Sequence, residues 1–70
     1  MTKAQFDSIM KETRSICKER PLTDAEAYDM ASAILVDNPD IEEYIFLNID
    51  TPDSQGWLMC EIVWYNRYGR

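Results

Sequence analysis

Apolar positions recur at helical spacing through the first third of the chain. Phe6, Ile9, Met10, Thr13, Ile16 and Cys17 fall on one stripe of a 3.6-residue period. Thr2 can cap the start of this stripe, with Gln5 reaching back three positions later as in a capping box. Asp7 and Lys11, four apart, suit a pair on the outer surface. Pro21 pushes Arg20 out of the helical region, so the pattern predicts a helix over 3–19.

The second stripe begins with another capping box, Thr23 and Glu26 in "TDAE". Ala27, Met30, Ala31 and Ile34 follow, flanked by Tyr28 and Leu35. The segment "DNP" ends this helix, predicted over 24–36. The short linker "RPLT" suits an antiparallel helical pair. The two alanines leave room for the first helix to approach closely.

The stretch "NPDIEEYIFLNID" then sends two signals. Asn38, Pro39, Asp40, Glu42 and Glu43 suit a helix start. Tyr44, Ile45, Phe46, Leu47 and Ile49 mostly favour pleated sheet. On a helical wheel Ile41, Tyr44, Ile45 and Ile49 gather, but Asn48 falls among them and Phe46 and Leu47 point away. On a strand, Ile45, Leu47 and Ile49 face one way and Tyr44, Phe46, Asn48 and Asp50 the other. The last segment, "WLMCEIVWYN", divides the same way, with Leu58, Cys60, Ile62 and Trp64 on one face and Trp57, Met59, Glu61, Val63 and Tyr65 on the other. Between them lies the turn-rich "TPDSQG".

This pattern predicts an α+β fold of order α-α-β-β, with two antiparallel helices packed on a C-terminal β-hairpin. The strands are expected at 44–50 and 57–65, with Ile45 opposite Ile62, Leu47 opposite Cys60 and Ile49 opposite Leu58. The competing assignment is an all-α four-helix bundle. A lone hairpin is barely stable, so its aliphatic face (Ile45, Leu47, Ile49, Leu58, Ile62) is expected to pack on the helices.

Seventy residues leave room for one small domain, and the 46% hydrophobic content is enough to fold it. No apolar run approaches the roughly 20 residues that span a membrane, and no signal peptide is evident. The two cysteines, Cys17 and Cys60, match no metal spacing. Two small buried thiols in a reducing, cytoplasmic setting are expected.

Charge sharpens the picture. The net charge is −6, and residues 21–66 contain ten acids and no Lys or Arg. Lys3, Lys11, Arg14, Lys18 and Arg20 precede this run, and Arg67 and Arg70 follow it. So long a stretch without a base argues against phosphate binding. It suits either a solvated surface or a surface that meets a basic partner.

Chemistry is sparse. There is no histidine, hence no Ser-His or Cys-His pair. There is no glycine-rich phosphate loop. Asp50 and Glu61 stand twelve positions apart like the ends of a calcium loop, but Pro52 and the misplaced Gly56 break that pattern. Neither catalysis nor a cofactor or metal site is expected.

What remains is binding. The outer face of the expected hairpin would hold Tyr44, Phe46, Trp57, Met59, Val63 and Tyr65. Such a patch usually marks an interaction site. Asp37, Asp40, Glu42, Glu43, Asp50, Asp53 and Glu61 would form an acidic rim around it. The expectation is a small acidic protein-binding module, an inhibitor, adaptor or accessory factor that occupies a basic surface on a larger partner. A special case is a nucleic-acid mimic, a role that suits small acidic accessory proteins of mobile elements. A homodimer is a further use of the same face. The rival class is a nucleic-acid-binding module built on the first helix, Arg67 and Arg70, with the tail "WYNRYGR" stacking on bases.

Overall fold

The described residues form four helices: α1 (Lys3–Glu19), α2 (Asp24–Asp37), α3 (Ile41–Ile49) and α4 (Ser54–Tyr68). The structure, a computed structural model, describes residues 1–69, and among them there is no strand. The α-α-β-β order is therefore overturned in its second half. The all-α alternative is what forms.

The first two helices form where the pattern puts them, and both capping boxes are made. Thr2 Oγ1 accepts from the Gln5 N–H at 3.1 Å while Gln5 Oε1 accepts from the Thr2 N–H at 2.8 Å. Thr23 and Glu26 repeat the exchange at 3.2 and 3.0 Å. Each box satisfies backbone donors that a helix start would otherwise leave open. On the surface of α1 the pair that forms is Lys3 with Asp7, at 2.9 Å, rather than Asp7 with Lys11.

The two segments read as strands bury every third or fourth residue instead of every second. Ile41 and Ile45 in α3 are fully buried, as are Leu58 and Ile62 in α4, one turn beyond buried Ser54. Leu47, expected on the inner face of the hairpin, is 67% exposed. Cys60 and Trp64, expected beside it, are exposed too. The expected cross-strand pairs do not exist.

Backbone chemistry explains the outcome. A two-stranded hairpin leaves one edge of each strand unpaired, whereas a helix satisfies its own N–H and C=O groups. Strand preference in Ile, Tyr, Phe and Trp largely reflects packing on a sheet, and here there is no larger sheet to join. The turn-like residues act as helix punctuation instead. Asp50 ends α3 in the left-handed region at φ 62°. Asp53 caps α4, its carboxylate accepting from the Gly56 N–H at 2.9 Å. Asn48, awkward on a buried face, stays exposed and donates to the Tyr44 carbonyl at 3.0 Å.

α4 is the hub, and α1, α2 and α3 each pack on it. Phe6 meets Trp57 and Arg14 meets Tyr65, so α1 runs in the same direction as α4. Gln55 bonds to Ser32 while Asn66 bonds to Leu22, so α2 runs the opposite way. Ala27 and Ala31, both fully buried, allow α2 its close approach, but the main neighbour is α4 rather than α1. Thr13 is buried in α1 without penalty, because its hydroxyl donates to the Ile9 carbonyl at 2.8 Å.

Candidate interaction surface

The six residues expected to form one binding face are dispersed. Tyr44 stacks on Phe6 with ring centroids 4.6 Å apart, and Trp57 lies 5.9 Å from the same ring. These three rings join α3, α1 and α4 and belong to the interior edge of the molecule. Tyr65 is half-buried beneath Arg14, whose guanidinium carbon is 5.9 Å from the ring centre. Burial raises the Tyr65 phenol above its ordinary pKa, and the nearby Glu61 carboxylate adds to this. Met59 and Val63 are half-buried along one flank of α4. Phe46 alone of the six is exposed, at 53%.

Phe46 has a neighbour that the strand reading placed in the core. Leu47 stands beside it on the outer side of α3. Phe46 lines a shallow depression of about 370 Å³ with Pro39, Glu42, Glu43 and Pro52. Leu47 lines a second, of about 210 Å³, with Met1, Asp40, Glu43, Tyr44 and Asn48. Glu43 borders both, so two large apolar side chains sit around one carboxylate with two more close by.

The expected acidic rim divides accordingly. Asp40, Glu42 and Glu43 lie at this α3 surface, and Asp40 also pairs with the Met1 amino group at 3.3 Å. Asp50 and Asp53 punctuate helices as described. Asp37 lies at the end of α2, in a groove with Ile9, Thr13 and Ile34. Glu61 stands apart, on α4.

A second apolar surface runs along the outside of α4. Trp64 is 51% and Tyr68 67% exposed, with rings 5.5 Å apart, and exposed Cys60 lies one turn before Trp64. With Met59, Val63 and Arg67 they line a groove of about 320 Å³. The strand reading missed this stripe because it turned Cys60 and Trp64 inward. A 3.6-residue period through 60, 64 and 68 is the signal that finds it.

The cysteines differ in character. Cys17 is fully buried, and burial raises its thiol pKa, which makes it a poor nucleophile. Cys60 is exposed, contrary to the expectation of two buried thiols. Among the described residues no group of three or more Cys, Asp or Glu is placed to hold a metal ion. Nor is any helix among them long and apolar enough to cross a membrane. Arg70, one of the two C-terminal arginines of the nucleic-acid reading, lies outside the described residues. Searches of protein-family models, curated proteins and solved structures found no match to this chain.

Proposed function

We propose that this chain is a protein-binding module that meets a basic, partly apolar surface on a larger partner through the outer side of α3. The observation that carries the reading is the exposure of Phe46 and Leu47 around Glu43, with Glu42 and Asp40 beside them. Large apolar side chains that the fold does not bury are the kind that fill the centre of an interface. Carboxylates at their edge favour a partner rich in Lys or Arg and repel phosphate. Inhibitor, adaptor and accessory factor all fit this surface, as does a nucleic-acid mimic. The reading is of a binding protein rather than an enzyme: the chain has no histidine, and its acids border surfaces or punctuate helices. A cytoplasmic setting fits the unpaired, exposed Cys60 thiol.

The test is affinity capture from nuclease-treated lysate, with the wild-type chain and a Glu42→Lys, Glu43→Lys variant as parallel baits. A protein retained by the wild type, insensitive to nuclease and lost with the variant supports the reading. Capture that disappears with nuclease, or is unchanged by the charge reversal, contradicts it.

A further inference from the structure

The outer stripe of α4 points to a different occupant. Among the described residues α2 and α3 carry acids and no base, so their surfaces repel copies of themselves. α4 carries only Glu61 and Arg67, and is neutral on a chain of net charge −6. It is also where exposed Trp64 and Tyr68 stand together. A basic partner would find one carboxylate on α4, Glu61, while a nucleic acid would find Arg67 with Arg14, which reaches the end of α4 at the Gly69 carbonyl. A second copy of this chain finds both complements.

We propose that the α4 stripe is a self-docking surface, with two α4 helices antiparallel about a two-fold axis near Trp64. Glu61 and Arg67 lie three residues to either side of Trp64. At a rise of about 1.5 Å per residue, each is about 4.5 Å along the helix from the axis. The two-fold therefore sets Glu61 of one copy level with Arg67 of the other, twice over. The same symmetry sets Cys60 level with Tyr68. This is the reciprocal pairing that a closed two-fold interface requires. Arg67 makes no ion pair within the molecule among the described residues, and is available for it. The dimer leaves Phe46 and Leu47 on α3 uninvolved, so it stands or falls independently of the partner surface proposed above.

The experiment is sedimentation equilibrium over a concentration series reaching about 1 mM, with helicity followed by circular dichroism. The wild type is expected to rise from 8.2 kDa toward twice that mass. Trp64→Ala, Glu61→Arg and Arg67→Glu should each weaken association at least about tenfold while staying helical. Glu61→Arg combined with Arg67→Glu should restore it, because the exchanged charges again face each other. A wild type that stays at 8.2 kDa throughout overturns the proposal, as does a double variant that fails to recover. Monomeric wild type that binds a single-stranded oligonucleotide through Trp64 would make nucleic acid the occupant instead.

Discussion

Asn66, near the end of α4, holds both backbone groups of Leu22. Its side-chain oxygen accepts from the Leu22 N–H at 3.1 Å, and its amide donates to the Leu22 carbonyl at 2.9 Å. The linker between α1 and α2 is thereby fastened to α4, the helix on which both pack. Asn66→Ala removes a donor and an acceptor from a part-buried site at once, and should cost about 1–3 kcal/mol. Urea denaturation measures this. An unchanged midpoint would mean that the linker is held by other contacts.

The two cysteines report the fold without any substitution. Cys60 should react with a thiol reagent in the native state, while Cys17 should react only on unfolding. The labelled position is read by peptide mass. On dilute, monomeric protein, protection of Cys60 would place it back in a core, as the hairpin requires.

Truncations separate a helical face from a strand face. Ile45→Ala and Ile62→Ala should each cost roughly 2–5 kcal/mol, since both side chains are fully buried. Leu47→Ala should change stability by no more than about 0.5 kcal/mol. On a strand Ile45 and Leu47 share a face and would suffer together. Thermal melts of the three variants decide it.

The early helices were legible because their signals are local. Thr2 with Gln5, and Thr23 with Glu26, place side-chain partners on backbone donors three residues away, which needs no knowledge of the rest of the fold. The later segments were ambiguous because apolar residues occupy nearly every position from Tyr44 to Ile49 and from Trp57 to Trp64. Both periods then find an apolar face. The deciding fact is tertiary: α4 is packed by three other helices, so Leu58 and Ile62 are needed inside while Cys60 and Trp64 are not. Asp53, read as part of a turn-rich loop, caps α4 instead. Phe46 survived as an exposed residue under either assignment. Tyr44, Trp57 and Tyr65 depended on the hairpin and moved inward with its loss.

Acid should weaken the junction between α1 and α2. Hydrogen bonds from Arg20, then from the Thr23 backbone, lower the Glu26 carboxyl from 4.5 to about 2. A depressed folded-state pKa means a stabilising contribution that is complete above pH 4.5 and fades as pH falls toward about 2. Glu26→Gln keeps the capping geometry but cannot titrate. Its melting temperature should fall less than that of the wild type between those pH values. Parallel acid limbs would show that Glu26 contributes nothing to this dependence.

The surface of α3 carries the functional claim, and paired measurements on one variant test it directly. Phe46→Ala with Leu47→Ala should melt close to the wild type, because neither side chain is buried. Truncating an interface centre costs about 2 kcal/mol or more, so affinity for the captured partner should fall at least about thirtyfold. The measurement is a binding titration of that partner beside a thermal melt of the same preparation. Retained stability with lost binding is the predicted result. Binding equal to the wild type, with stability retained, would contradict the assignment of this surface.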